Sequence, residues 1–241
     1  MEHPYRHFDC EQQARLTTLQ AVIFDMDGLL LDTERISMRA WQEGAAEFGL
    51  TVPDALFLEM IGRREADCIA VLEDAFGGDI PGRTIADRCN QIYRHKIETT
   101  TVPVMRGVAV LLDLLDRQGL PRLVATSTEP GKARFKLERA GLLPRLGGVV
   151  SGQDVPRGKP APDVFLLAAQ TLDVDPALCL VLEDSGPGIT GAHAAGMLTV
   201  LIPDLRVPEP PVLSLAHAVF PDLQRFAETL APCLSRANVV N

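Results

Sequence analysis

Two aspartates, Asp25 and Asp27, lie two positions apart directly after a short apolar run, Ala21–Phe24. Such a run is typical of a strand that is buried on both faces of a parallel sheet. Because side chains alternate along extended backbone, both carboxylates can point to the same side. Gly28 then permits a sharp turn of the chain. Two carboxylates this close repel each other unless a cation or a proton neutralises them, and their oxygen ligands favour Mg²⁺.

A second acidic pair, Glu183 and Asp184, follows another apolar run at residues 179–182. Ligands of open α/β sheets bind at the carboxyl ends of the strands. Either acidic pair alone is more often a turn or a helix cap, since aspartate is common in both. Because both pairs come directly after buried strands, we predict one site for a hard divalent cation between them.

Two hydroxyl side chains, Thr126 and Ser127, follow the apolar run at residues 123–125. Hydroxyls and free backbone N–H groups at the start of a helix suit a phosphate group. A helix cap is the more common reason for such residues, and it remains the alternative. We therefore keep both residues as candidates for phosphate binding.

Lys159 lies between Gly158 and Pro160, in a loop of restricted conformation. Its ammonium group could meet a phosphate there as a point charge, and a solvated loop lysine is the alternative. The segment 152–159 resembles a P-loop only superficially. Five residues separate its glycines instead of four, and Pro160 stands where that motif needs Ser or Thr.

Apolar runs of strand length alternate with helical patterns along most of the chain. The runs lie at residues 21–24, 123–125, 148–150, 179–182 and 198–202. The helical patterns between them lie at residues 108–115, 135–142, 163–172 and 186–196. This alternation predicts an α/β fold with a doubly wound, parallel, Rossmann-like sheet.

Residues 34–103 interrupt the alternation. They show no convincing strand, and glycines separate four helical segments at residues 34–48, 53–61, 64–76 and 84–98. We predict a small all-helical cap domain that is inserted after the first strand and lies over the strand ends, with hinges near Thr33 and Pro103. The Rossmann-like core then comprises residues 19–33 and 104–241. Residues 1–18 form an N-terminal arm, either loose or a docking helix.

Together, these motifs resemble those of the haloacid dehalogenase superfamily, in the branch of phosphatases and β-phosphoglucomutases that carry a helical cap. The matching segments span almost the whole chain beyond the arm, and they are residues 25–34, 126–127, 158–163 and 183–185. The resemblance implies a phosphohydrolase that works through a covalent aspartyl phosphate.

The resemblance also implies a role for each catalytic residue. Asp25 would be the nucleophile, and Asp27 would be the general acid for the leaving group and then the base for water. Thr126 would hydrogen-bond the transferring phosphoryl group. Lys159 would neutralise the nucleophile and the phosphoryl oxygens. These roles agree with the physics, because a carboxylate attacks a phosphate dianion poorly unless cations offset the repulsion.

The same resemblance implies a Mg²⁺ site. Asp184 would bind the ion together with Asp25 and the backbone carbonyl of Asp27, and Glu183 would either bind it or support a ligand. Gly28 and Ser127 would lie beside the phosphate.

Two cap arginines, Arg63 and Arg64, could contact the distal part of the substrate. A solvated pair of arginines is equally consistent with their sequence.

Three positions favour hydrolysis over phosphosugar isomerisation. The mutases of this branch carry a His four residues after the hinge Thr, and a Lys and an Arg around a cap glycine. This chain has Ser37, Ile61 and Glu65 at those places. We therefore predict a phosphatase for a small phosphorylated metabolite, such as a sugar, polyol or nucleoside monophosphate ester, with a mutase as the alternative.

A non-catalytic phospho-aspartate receiver or binding module is a hypothesis from another class, since receivers use the same residue types on a parallel sheet. The second aspartate, Asp27, counts against a receiver because it is well placed to activate water. The helical insert also makes an enclosed pocket that a signalling surface does not need.

Charge and composition restrict the partners. The net charge of −9 disfavours nucleic acid as a partner.

The five cysteines are far apart and lack a CxxC pair. This spacing argues against a disulfide framework and against a zinc site, and it favours the reducing cytoplasm. No apolar run reaches the roughly 18 residues that a membrane span needs. We expect a cytoplasmic monomer or weak dimer.

Overall fold

The apolar runs form the strands of one six-stranded sheet in the computed structural model, which describes residues 5–61, 65–77 and 80–237. The strands are β1 Ala21–Phe24, β2 Arg122–Thr126, β3 Val149–Ser151, β4 Cys179–Glu183, β5 Leu198–Leu201 and β6 Ala218–Val219. Their order is β3-β2-β1-β4-β5-β6, and every neighbouring pair is parallel. This is the order of a doubly wound Rossmann-like sheet, so the predicted fold class is confirmed.

Both faces of the sheet are buried, which is why its strands are apolar throughout. Along β1, Ala21 and Ile23 point to one face while Val22 and Phe24 point to the other, and all four are fully buried. Ala21 and Ile23 pack in a cluster with Phe165. A strand without a water-facing side has no reason to alternate polar and apolar residues.

Helices flank the sheet in the unit that contains the described residues of Met1–Leu31 and Pro103–Asn241. They are α1 Cys10–Leu16, α6 Val108–Gln118, α7 Pro130–Arg139, α8 Asp163–Leu172, α9 Gly186–Ala194, α10 Pro210–Leu213 and α11 Leu223–Ala237. Helix α8 packs on β1, β2 and β3, whereas α9 packs on β4 and β5. Across the described ranges, none of the helices is both long and apolar enough to cross a membrane.

The second unit is Asp32–Val102, and the regular elements among its described residues are helices. They are α2 Thr33–Ala46, α3 Asp54–Met60, α4 Glu65–Phe76 and α5 Gly82–Thr99. Gly44 of α2 lets that helix approach α5 closely, because a Cβ atom there would lie 2.6 Å from the sulfur of Cys89. In the sheet unit, Leu31 and Val104 pair as an antiparallel bridge, so the chain leaves and re-enters that unit at one place after β1.

The N-terminal segment packs on the sheet unit. Asp9 caps α1 by accepting a hydrogen bond from the backbone N–H of Gln12, and Leu16 at the other end of that helix is fully buried. Helix α1 packs against α11. Ahead of it, Arg6 pairs with Val219 of β6 as an antiparallel bridge. Of the two alternatives for this segment, the structure therefore shows the docked helix.

Candidate active site

Asp25 of the first acidic pair meets both residues of the second pair where the strand order reverses. Asp25 follows β1, Glu183 ends the neighbouring β4, and Asp184 comes next. The backbone N–H of Asp25 donates to the carbonyl of Leu182 at 2.9 Å, which extends the pairing of the two strands to the site. One carboxylate oxygen from each of the three acidic residues lies within 4.8 Å of the others. The topology thus brings together acidic residues that are more than 150 positions apart in sequence.

Lys159 lies at the centre of the cluster. Its Nζ atom is 2.5 Å from Oδ1 of Asp25 and 2.6 Å from Oε1 of Glu183, and it also donates to the carbonyl of Ala125 at 3.0 Å. The ammonium lies 5.0 Å from the centroid of the Phe165 ring. With a side chain only 5% exposed, Lys159 is not a solvated loop lysine.

The electrostatics show that this cluster is short of positive charge. Burial raises the pKa of Asp25 from its ordinary value of 3.8 to about 7, against the lowering effect of Lys159, and the charge of Glu183 adds to the rise. Burial opposes the charged form of Lys159 too, but the charges of Asp25 and Glu183 outweigh it and raise the pKa of the ammonium. One ammonium therefore faces two buried carboxylates, and the half-buried Asp184 adds a third carboxylate to the cluster.

This charge balance fits a hard divalent cation. Three carboxylates and one ammonium carry a formal excess of two negative charges. Oxygen ligands from Asp25, Glu183 and Asp184 are those that Mg²⁺ prefers. The donor set contains no sulfur or imidazole, which would favour a softer metal.

Glu183 is fixed on both sides. Its side chain is fully buried, and Oε2 accepts hydrogen bonds from both the backbone N–H and the hydroxyl of Ser185, each at 2.8 Å. Its other oxygen faces Lys159. Gly188 of α9 makes room for the carboxylate, since a Cβ atom there would lie 1.7 Å from Oε1. The glycine-rich start of α9 is thus shaped around one buried acid.

Asp27 lies beside this cluster and makes different contacts. Its Oδ1 accepts a hydrogen bond from Nζ of Lys136 at 2.8 Å, and its Oδ2 accepts one from the hydroxyl of Thr128 at 2.7 Å. The side chain of Asp27 is 22% exposed, whereas that of Lys136 is only 9% exposed. Two neighbouring aspartates therefore face two separate lysines.

Sequence reasoning missed Lys136, although one signal was available. In α7, Ala133 and Leu137 are fully buried, and Lys136 shares their face at helical spacing. The apolar pattern predicted for this helix instead included Phe135, which is 41% exposed. A lysine at a core position of a helix indicates a buried anionic partner.

The proposed phosphate-binding residues lie at the end of β2. Thr126 is 2% exposed and its hydroxyl accepts a hydrogen bond from the N–H of Thr128 at 3.1 Å, while Ser127 is exposed. The helix-cap alternative for Thr126 and Ser127 is wrong. The cap of α7 is Glu129, whose side chain accepts hydrogen bonds from the N–H groups of Gly131 and Lys132.

Gly28 lets the loop after β1 approach Asp184, one of the candidate metal ligands, closely. Its φ of +86° belongs to the left-handed region, which disfavours other residues. A Cβ atom at this position would lie 2.3 Å from Oδ2 of Asp184. Arg63 and Arg64, the predicted contacts to the distal part of the substrate, lie outside the described residues.

Comparison with known proteins agrees with this geometry. Residues 19–196 match the sequence model of the haloacid dehalogenase-like hydrolases. The chain is 34% identical over 194 residues to (DL)-glycerol-3-phosphatase 1, mitochondrial, of Arabidopsis thaliana, with 77% of this chain and 64% of that relative covered. This chain therefore spans slightly less than two thirds of that relative.

A second relative is covered almost completely. The chain is 35% identical over 179 residues to fructose-1-phosphate phosphatase YqaB of Escherichia coli strain K12, with 73% of this chain and 92% of the relative covered. Among solved structures, that of a β-phosphoglucomutase homologue from Thermotoga maritima superposes with a TM-score of 0.72 at 26% identity. The superposition covers 92% of this chain and 100% of that one.

Proposed function

Because the chain belongs to the haloacid dehalogenase-like hydrolases, we propose that it is a Mg²⁺-dependent phosphatase that cleaves a small phosphate monoester through an aspartyl phosphate on Asp25. One observation carries the proposal. The Asp25 carboxylate at the end of β1 contacts a buried lysine and lies in reach of two further acids. A nucleophile and the positive charge needed to bring it to a phosphate are thus held in one place.

Metal binding follows from the charge balance. Asp25 and Asp184 would hold Mg²⁺, which supplies Lewis-acid stabilisation of the phosphoryl oxygens when bound. Glu183 already accepts hydrogen bonds from Lys159 and Ser185. Its main part in the proposal is to keep Lys159 and the metal ligands in position.

The reaction takes two steps in this proposal. A carboxylate oxygen of Asp25 forms a bond to phosphorus while the ester P–O bond breaks. Asp27, which must be protonated in the substrate complex, gives its proton to the departing alcohol oxygen. Asp27 then takes a proton from water, whose oxygen attacks phosphorus and releases inorganic phosphate and free Asp25. Lys159 and Thr126 stabilise the phosphoryl oxygens in both steps.

The relatives guide the choice of substrate class. Two of them are named for glycerol 3-phosphate and fructose 1-phosphate, which are alkyl monophosphates of polyols and sugars. We propose the same class for this enzyme. Five free and widely spaced cysteines support a reducing compartment such as the cytoplasm as its place of action.

The test is phosphate release with Mg²⁺ from p-nitrophenyl phosphate and a panel of sugar and polyol phosphates. We expect turnover that EDTA abolishes and Mg²⁺ restores, and a loss of at least about 10³-fold in Asp25→Asn, because the nucleophile is removed. Asp74→Asn, which changes an exposed aspartate of α4, should leave the rate unchanged. A wild-type protein that binds phosphate esters without turnover would instead support a receiver or binding module.

A phosphosugar mutase is the second candidate, since a structural neighbour is described as a putative β-phosphoglucomutase. Ser37, Ile61 and Glu65 at the mutase-specific positions favour hydrolysis. Incubation with β-glucose 1-phosphate separates the two functions. Isomerisation that is faster than phosphate release would identify a mutase.

A further inference from the structure

The Asp27 carboxylate is held at both of its oxygens by residues that the proposed chemistry does not otherwise use. Lys136 donates to one oxygen from within α7, and Thr128 donates to the other from the loop before α7. Asp27 itself follows β1, and its backbone forms an isolated bridge with Leu31 without belonging to a helix or a strand. The two side-chain contacts then set the direction of its carboxyl group.

Burial of a lysine at position 136 costs free energy, which indicates that this side chain has a specific role. The side chain of Lys136 lies on the buried face of α7, and an ammonium at such a place needs an anionic partner to offset the lost hydration. An apolar residue would fit the pattern of Ala133 and Leu137 on that face. The lysine contacts the aspartate that the proposed reaction needs for proton transfer.

We propose that Lys136 is a positioning residue that, together with Thr128, holds the carboxyl group of Asp27 in line with the ester oxygen of the substrate. The inference rests on the phosphatase function proposed above. It assigns Lys136 no contact with the phosphate. A proton donor that is displaced by about 1 Å loses much of its effect, so the lysine matters only where proton transfer limits the reaction.

The leaving group provides a readout for this role. When an alkyl phosphate reacts, the departing alkoxide is a strong base and needs the proton of Asp27 as the P–O bond breaks. When p-nitrophenyl phosphate reacts, p-nitrophenolate is stable as an anion and leaves without that proton. The value of kcat/KM reports the steps up to phosphoryl transfer, so it isolates this difference from the later hydrolysis of the aspartyl phosphate.

The experiment compares Lys136→Met with the wild type on p-nitrophenyl phosphate and on the alkyl phosphate of the panel that the wild type turns over fastest. We expect kcat/KM to fall about 10- to 100-fold for the alkyl ester and less than about 3-fold for the aryl ester. Lys132→Met is the matched control, because Lys132 is an exposed lysine of the same helix. It should change neither value.

A second variant keeps the inference testable if Lys136→Met is poorly folded. Thr128→Val removes the other hydrogen bond to Asp27 without leaving a buried charge unpaired, and it should show the same bias between the two esters. In an Asp27→Asn background, Lys136→Met should add no further bias. Equal losses on both esters, or no loss on either, would overturn the positioning role. Failure of the wild type to release phosphate at all would overturn the proposed function instead.

Discussion

At the scale of single residues, the site depends on a few side chains that are buried because of their charge partners. Lys159 and Lys136 both have buried side chains, and each faces a carboxylate at less than 3 Å. The sequence indicated the first because it lies in a restricted loop between Gly158 and Pro160. For the second, the helix pattern offered only the core position of the lysine, and it could not show which acid from a distant part of the chain that lysine would meet.

His217 is a half-buried base whose protonation state links the stability of the fold to pH. Burial first, and then the charges of Arg15 and other neighbours, lower its pKa from 6.5 to about 4. The backbone N–H of Thr199 donates to Nδ1 of the ring at 3.1 Å, so this nitrogen carries no proton in the folded protein. Protonation of Nδ1 would break that hydrogen bond to β5.

The folded state therefore binds a proton at His217 less readily than the unfolded state does. Its contribution to the free energy of unfolding is complete above pH 6.5 and is lost as the pH falls toward 4. After allowance for solvent screening of this half-buried group, we expect a loss on the order of 1–2 kcal/mol.

His217→Asn tests this link, because the amide oxygen can still accept the hydrogen bond from Thr199 but does not titrate. The difference in the free energy of unfolding between pH 7.5 and pH 4.5, measured by urea denaturation, should be smaller than in the wild type by that amount. His95→Asn, a change at an exposed histidine of α5, is the control and should match the wild type. An unaltered pH dependence in His217→Asn would rule the link out.

At the scale of elements, helix α6 is bounded by two glycines with similar backbone and different surroundings. Gly107 at its start has a φ of +88°, and Gly119 at its end has a φ of +64°. A Cβ atom at Gly107 would lie 2.0 Å from the backbone nitrogen of Gln224 in α11, whereas nothing lies within 4 Å of such an atom at Gly119. Gly107 is therefore needed for helix packing as well as for its dihedral angle.

Alanine substitutions separate the requirement for close helix packing from the requirement for a left-handed backbone. Gly119→Ala should cost only the left-handed backbone, about 1–2 kcal/mol. Gly107→Ala should cost at least about 3 kcal/mol, because backbone atoms of α11 cannot move aside without unpacking that helix. Urea denaturation followed by circular dichroism gives both values, and similar losses in the two variants would contradict the packing argument.

Secondary-structure elements could be predicted where a single physical requirement determines the sequence pattern. Strands buried on both faces need continuous apolar runs, and the five predicted runs match β1 to β5 within one residue at each end. Strand β6 was missed because Ala218–Val219 is too short to form a recognisable run. The strand order also explains the candidate site, since β1 and β4 become neighbours only through the topology of the sheet.

At the scale of the whole molecule, the charge excess at the site opposes folding in the absence of a metal. Buried carboxylates that share one lysine repel each other, and such a conflict between function and stability is common at active sites. A cation that binds only the folded state should therefore stabilise the protein in proportion to its occupancy.

Thermal unfolding with and without Mg²⁺ tests this expectation without an activity measurement. At a Mg²⁺ concentration 100 times the Kd, the wild type should gain about 2.7 kcal/mol, or about 5–10 °C in Tm. Asp184→Asn should unfold at a higher temperature than the wild type in EDTA, since one repelling charge is removed, and should gain little from Mg²⁺. Asp74→Asn should behave as the wild type, and an equal Mg²⁺ shift in all three proteins would exclude Asp184 as a ligand.

The pairing of Arg6 with Val219 has a consequence for solubility. Two backbone hydrogen bonds, of 3.1 and 2.8 Å, cover the outer side of the last strand with a segment of the same chain. An uncovered strand border is a template onto which another polypeptide can add by backbone pairing. A shortened protein that starts at residue 19 would thus present an open border, and self-association rather than lost catalysis is the first defect to look for in it.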